Sequence, residues 1–256
     1  MKVAATYSIK GGVGKTSAAV NLAFEAARAG VRVLVWDLDP QGAATYLFRV
    51  RAKVRGGSRR LVSADGALAA HIRGSDLSAV HVVPADFSLR HLDLHLEGAK
   101  RPTERLARLL EPLTDHYDLA LLDCPPSISL ASESVFGAAD ALLVPVVPAT
   151  LASRTLTQLV DFLDDQVEAP AVVPLLSMVD RRRKLHRELV EELRAEWPEL
   201  LGTAVPAAAV IERMGLERAP VGVYAPSSPA TRVYRALWAE VADRLWPPDP
   251  PRRIVA

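Results

Sequence analysis

One cysteine, Cys124, stands in 256 residues, which excludes an intrachain disulfide framework, a Cys-x-x-Cys metal site and an iron–sulfur pair within one chain. A net charge is also missing: 31 lysines and arginines face 30 acidic residues, leaving +1. That balance excludes both the strongly basic body of a nucleic-acid coat protein and an acidic tail protein, so any polyanion site has to be a local patch. No run approaches the ~20 uninterrupted apolar residues that span a bilayer. The segment Met1 to Tyr7 is too short for a signal peptide. These absences together lead to the expectation of a soluble, reduced, cytoplasmic protein with no stable membrane insertion. No internal repeat is present.

Half of the residues are apolar, enough for one large domain with a sizeable core. Short apolar runs alternate with helical patterns, the signature of a mostly parallel sheet covered on both faces. Strands are expected at Val3 to Ser8, Arg32 to Asp37, Val80 to Pro84, Leu119 to Asp123, Ala141 to Val147, Val172 to Met178 and Thr203 to Val205. Helices are expected at Lys15 to Ala29, with Gly30 at its C-cap, Pro102 to Thr114, Leu151 to Gln166, Leu185 to Glu196 and Pro229 to Trp246. The fold class is therefore α/β, a single doubly wound domain over residues 1–246, followed by a proline-rich tail over 247–256 that cannot continue a helix. The segment Arg49 to Arg60 carries Arg49, Arg51, Lys53, Arg55, Arg59 and Arg60 without an acidic residue and is expected to be a solvated loop.

An apolar strand runs directly into Lys10-Gly11-Gly12-Val13-Gly14-Lys15-Thr16-Ser17, and a helix follows. In this context glycines let successive backbone N–H groups converge on phosphate oxygens, and the helix N-terminus adds partial positive charge. Lys15 is placed to reach the β and γ phosphates of ATP, and the Thr16 hydroxyl to join the shell of Mg²⁺, which prefers oxygen ligands and retains water. The second expected strand ends in Asp37-Leu38-Asp39-Pro40-Gln41-Gly42, whose carboxylates lie on one side by period-two geometry. The strand Leu119 to Asp123 also ends in a carboxylate, at the crevice side of a parallel sheet. Cys124 beside it is read as a small core residue.

Ile9 stands where the usual P-loop has glycine, and Lys10 follows. Here the sequence resembles the ParA/MinD family of deviant-Walker ATPases, closest to the short ParA (Soj-like) type, with no helix-turn-helix extension before the P-loop. The resemblance runs through Ala139 to Pro148, Leu176 to Asp180, Val205-Pro206, Pro220 to Ser228 and Tyr234-Arg235. It implies that Lys10 crosses a dimer interface to the partner's nucleotide, the alternative being a lysine that stabilises ATP in its own subunit. It also implies that Asp39 positions the attacking water, that Asp37 and Asp123 hold Mg²⁺ through water, and that Met178 and Pro206 frame the adenine.

By the same resemblance the protein forms an ATP-dependent homodimer, binds DNA without sequence preference and hydrolyses ATP when a ParB-like partner stimulates it, associated with the nucleoid. One departure bears on the DNA contact. The family usually carries an arginine and an asparagine after the proline, whereas Ala207-Ala208-Ala209-Val210 follows Pro206. The substitutes are Arg181, Arg182, Arg183, Lys184 and Arg187, favoured as lying at the entry of a late helix away from the phosphate cradle, then the basic segment from Arg49 to Arg60, which follows the Asp39 turn and is placed to sense the nucleotide state, and also Arg213 and Arg218. A MinD-like membrane-associated or other-cargo ATPase is the alternative function. It needs an exposed basic amphipathic helix near the C-terminus, whereas Tyr234, Leu237, Trp238, Val241 and Leu245 are expected to dock the last helix on the core.

Overall fold

The computed structural model describes residues 1–63, 68–164 and 169–247. Its sheet contains β1 (Lys2–Thr6), β2 (Val33–Asp37), β3 (Arg73–Gly74), β4 (Val80–Val83), β5 (Leu119–Asp123), β6 (Ala141–Val146), β7 (Ala171–Val179) and β8 (Ala204–Pro206). They lie in the order β3-β4-β2-β5-β1-β6-β7-β8. Every pairing is parallel except the short β3–β4 edge. The sequence places a continuous apolar run at each central strand because both faces of such a sheet are covered; every residue of β2, β5 and β6 is buried.

Alternation along each strand divides the core between two layers. Leu34, Trp36 and Leu122 face one side with Leu106, Leu156 and Leu159, while Val33, Val35 and Leu121 face the other with Leu22, Leu237 and Val241. The second layer is built on α1 (Lys15–Arg28). Gly30, at φ 88°, ends this helix with the Val31 amide donating to Ala26 O at 3.1 Å, a glycine C-cap as expected.

Between β2 and β3 lie two short helices, α2 (Ala43–Leu47) and α3 (Gly57–Leu61). Then come α4 (Leu92–Glu97), α5 (Arg105–Leu110), α6 (Leu130–Phe136), α7 (Ala152–Asp164), α8 (Lys184–Glu196), α9 (Ala209–Glu212), α10 (Met214–Glu217), α11 (Val221–Tyr224) and α12 (Pro229–Leu245).

Two expectations change. The segment from Arg49 to Arg60 is not a free solvated loop: Val50 and Val54 are buried, and α3 begins within it. The helix expected over Pro102 to Thr114 is three pieces, a 3-10 turn at Pro102–Glu104, α5, and a 3-10 turn at Glu111–Leu113. Pro112 has no N–H to donate and cannot sit inside an α-helix. Helix α7 is described to Asp164, and its expected end at Gln166, like tail residues 248–256, lies outside the described residues.

Helix α12 buries Tyr234, Leu237, Trp238, Val241 and Leu245, so its apolar stripe is spent on the core beside α1. No helix among the described residues is long and apolar enough to cross a membrane.

Candidate nucleotide site

Parallel pairing brings the carboxyl ends of β1, β2 and β5 to one edge, where Thr6 pairs in register with Asp123 and Asp123 with Asp37. That edge is where ligands bind in open parallel sheets. From Thr6 the chain turns through the glycine loop into α1. Gly12 and Gly14 have φ of 72° and 94°, a left-handed backbone that glycine adopts without steric cost. At Gly14 there is also no room, since an added Cβ would lie 2.7 Å from Ser177 Oγ. Gly14→Ala should therefore combine about 1–2 kcal/mol of backbone strain with displacement of the loop. Thermal melts and nucleotide titration are expected to show a lower melting temperature and at least roughly tenfold weaker ATP binding.

Lys15 is only 7% exposed, and its Nζ donates to Lys10 O at 3.1 Å. Burial draws its ammonium below the ordinary lysine value, opposed by the nearby Asp123 and Asp39 carboxylates. The Lys10 side chain is exposed, and within the cradle its carbonyl is the group that meets Lys15. Asp37 and Asp123 are both fully buried. Asp37 Oδ2 accepts from the Thr45 amide at 2.8 Å and the Thr45 hydroxyl at 2.7 Å, and Oδ1 accepts from the Asp39 amide at 3.2 Å. Asp123 Oδ1 accepts from Thr6 Oγ1 at 3.1 Å, whereas its Oδ2 has no partner. Burial and the neighbouring Asp37 charge raise the Asp123 carboxyl above the usual carboxylate range, against the Thr16 and Thr6 hydroxyls. An unpartnered buried carboxylate oxygen beside a second buried carboxylate fits a divalent cation, and Thr16 stands between them and the glycine loop. Among the described residues no three Asp, Glu, His or Cys side chains converge on a metal position. Two carboxylates and a threonine hydroxyl suit an ion that takes its remaining oxygens from phosphate and water, as Mg²⁺ prefers.

Strand β2 ends at Asp37, so Asp39 comes from the following turn, held by Gln41 N donating to Asp39 Oδ1 at 2.9 Å and Gly42 N to Asp39 O at 2.9 Å. A cleft of about 500 Å³ opens beside it, lined by Gly11, Gly12, Gly14, Lys15, Thr16 and Ser17 at one end. At the other end stand Met178, Pro206, Ile211 and Met214. Met178 has φ 55° at an irregularity of β7, an uncommon conformation for a non-glycine residue. Cys124 is buried and free, with its thiol pushed well up by burial and by Asp123, consistent with a core residue.

Three contributors were not legible in the sequence. Thr45 holds Asp37 from eight positions away, and Ser177 packs on Gly14 from the far strand. Asn21, buried one turn beyond Ser17, accepts from the Val221 amide at 2.8 Å and donates to Ser17 O at 2.7 Å. It ties α1 to the chain that follows α10. A buried asparagine on an otherwise alanine-rich helix face was its only signal.

The candidate basic residues fall into separate places. Arg182 pairs with Asp180 at 3.0 Å, Lys184 with Glu188 at 3.4 Å, and Arg187 donates to the carbonyls of Arg181 and Arg182. This group begins three residues beyond Met178, which lines the cleft at the end opposite the glycine loop, and none of its residues lines the cleft. Arg213 pairs with Glu217 at 2.6 Å. Arg218 lies over the Tyr46 ring at 4.3 Å from its centroid, and Arg49 donates to the carbonyls of Glu217 and Arg218.

A glycine loop between a strand and a helix, a buried lysine, and carboxylates at neighbouring strand ends define a P-loop nucleoside-triphosphatase fold. A family described as AAA domain matches residues 1–170. The chromosome-partitioning ATPase Soj of Thermus thermophilus is 35% identical over 248 residues, covering 92% of this chain and 93% of its own. The sporulation initiation inhibitor protein Soj of Bacillus subtilis is 30% identical over 248 residues, covering 94% and 98%. Cobyrinic acid a,c-diamide synthase of Mycobacterium smegmatis, crystallised with an ATP analogue and magnesium, superimposes with a TM-score of 0.79 at 23% identity, covering 95% of both chains. The chain belongs to the ParA/MinD family of P-loop ATPases.

Proposed function

We propose that the protein is a ParA-type partition ATPase, which binds Mg-ATP, dimerises on it, holds DNA without sequence preference and releases it when a ParB-like partner stimulates hydrolysis. The observation that carries the reading is the unpartnered Asp123 Oδ2, beside Asp37 at the mouth of a glycine loop that presents two lysines, Lys10 and Lys15. Thr16, Asp37 and Asp123 hold Mg²⁺, the last two through water. The ion supplies charge neutralisation on the β and γ phosphates. Lys15 and the loop amides bind those phosphates from within the subunit. Asp39, held by its own turn at the cleft wall, orients the attacking water, and Met178 and Pro206 flank the adenine. Hydrolysis needs little beyond such positioning and electrostatics, and turnover is slow until a partner stimulates it.

The docked apolar face of α12 favours DNA over a membrane as the surface bound. Co-sedimentation with DNA and, separately, with anionic vesicles is the test, run with ATP, ADP and no nucleotide. Asp39→Ala is included because it should keep ATP and the dimer while losing turnover. DNA pelleting the ATP form, and Asp39→Ala most strongly, is expected; vesicles pelleting it instead would establish the MinD-like alternative.

A further inference from the structure

In the basic segment that follows the Asp39 turn, Arg49 pairs with Asp76 at 3.3 Å, but the basic residues beyond it have no local counter-charge. No acidic residue occurs between Asp39 and Asp65. Among the described residues, Arg51, Lys53, Arg55, Arg59, Arg60 and Arg90 form no ion pair, and all six are exposed. Arg182, Lys184 and Arg213 are paired; Arg181, Arg183 and Arg187 form no ion pair among the described residues, but α8, in which Arg187 lies and into which the other two lead, carries four glutamates along its length. The effect of the uncompensated group reaches a neighbour: the buried His71 imidazole is lowered by burial and then by Arg73, Arg60 and Arg55.

This segment is also fastened. The Val54 amide donates to Asp86 Oδ2 at 2.7 Å, and Ser58 donates from its amide to Ser88 Oγ at 3.0 Å and from its hydroxyl to Ser88 O at 2.7 Å. Asp86 Oδ1 accepts from the Ser88 amide and hydroxyl, so this carboxylate is spent on backbone and serine rather than on an arginine. Arg90, stacked on the exposed Phe87 at 4.2 Å, extends the same surface.

The anchor leads back to the nucleotide. The Ala85 amide donates to Thr45 Oγ1 at 2.9 Å, and that hydroxyl donates to Asp37 Oδ2 at 2.7 Å. The path is therefore Asp37, Thr45, Ala85, Asp86, Val54, with no solvent step. An open groove of about 510 Å³, lined by Pro40, Gln41, Ala52, Asp86 and Phe87, lies between the Asp39 turn and the ridge.

We infer that the ridge of Arg51, Lys53, Arg55, Arg59, Arg60 and Arg90 is the DNA-backbone surface, and that the Thr45–Ala85–Asp86 link sets its position according to the nucleotide bound at Asp37. This rests on the DNA reading above and replaces the group from Arg181 to Arg187 as its main contact. Unpaired cations are the ones that release counterions from a duplex without first breaking an ion pair, and one nucleotide-positioned ridge per subunit is doubled in a dimer.

The experiment uses fluorescence anisotropy of a mixed-sequence duplex with the full chain, with ATP and without nucleotide, across a salt series. The combined variant Arg51→Ala, Lys53→Ala, Arg55→Ala should bind at least about tenfold more weakly, with the slope of log affinity against log salt reduced by roughly two to three, since each phosphate contact contributes about 0.9. Arg181→Ala with Arg183→Ala should change the affinity less than about threefold. Asp86→Ala should bind ATP as before yet bring the duplex affinities with and without ATP together, and Asp86→Asn, which keeps an acceptor for the Val54 amide, should restore most of their difference.

If the wild type binds duplex with ATP and the ridge variant binds as tightly, the ridge is refuted and the partition reading stands. If the wild type binds no duplex in any state, both fall. Binding of the wild type to phosphatidylglycerol vesicles, lost in the ridge variant while duplex affinity is unchanged, would assign the ridge to a membrane and refute the inference. Persistence of the ATP dependence in Asp86→Ala would overturn the link.

Discussion

Lys15→Met should abolish measurable Mg-ATP binding without lowering the melting temperature of the nucleotide-free protein. The two halves of this expectation have one cause. In the free protein the Lys15 ammonium is almost buried and meets a single carbonyl, Lys10 O, so desolvation is poorly offset and its charge is disfavoured. A methionine of similar length fills the same space without that penalty. Once phosphates enter the loop, the ammonium gains charge-assisted hydrogen bonds of about 1.5–3 kcal/mol each. Losing two of them corresponds to at least about a hundredfold in affinity. Isothermal titration gives the affinity and scanning calorimetry the stability. Unchanged affinity would remove Lys15 from the phosphate site, and a fall of several degrees in the free protein would mean that the lysine is structural.

The parts of this site that were legible in the sequence are those whose physics is local. The strand from Leu119 to Asp123 was placed to the residue because a buried parallel strand is a continuous apolar run and its terminal aspartate breaks that run. The glycine loop was legible because two left-handed residues, Gly12 and Gly14, must be glycine where a strand turns into a helix. The short helices α2, α3, α4 and α9 to α11 were not seen. Helices of four to six residues do not complete the periodic pattern that marks an amphipathic helix, and below about 12 residues packing rather than propensity decides whether a helix forms. For α3 and the residues leading into it, the deciding contacts are Ser58 with Ser88 and Val54 with Asp86, from a 3-10 turn some thirty positions later. Helix α6 was missed for another reason: its capping box uses Ser129 with Ser132, where glutamate or glutamine is the usual partner at the third helical position. Thr45 is the clearest case among site residues. A threonine beside Tyr46 in an apolar stretch carries no chemical signal until the fold sets its hydroxyl between Asp37 and Ala85.

Lys10→Ala should leave nucleotide binding by the monomer nearly unchanged and weaken the ATP-dependent dimer at least about a hundredfold. The separation is possible because Lys10 presents two groups in different directions. Its carbonyl accepts from Lys15 Nζ within the cradle and survives the substitution, while its side chain is exposed and is free to meet a facing subunit. If two ATP-loaded subunits meet across their cradles, like charges about 10 Å apart repel by on the order of 1–2 kcal/mol per pair at an effective dielectric near 20. Each dimer places two Lys10 ammonium groups in that gap. Removing both forfeits roughly 3 kcal/mol, the energy of about a hundredfold in dimer affinity. Sedimentation velocity over a protein concentration series, with ATP and in the Asp39→Ala background so that hydrolysis does not reset the equilibrium, reads the effect directly. High salt should narrow the gap between variant and parent, since a rim charge is screened over about 8–10 Å. A Lys10→Ala protein that dimerises like its parent, while binding ATP several-fold more weakly as a monomer, would show that this lysine serves its own subunit's phosphates and that the dimer, if formed, closes by other contacts.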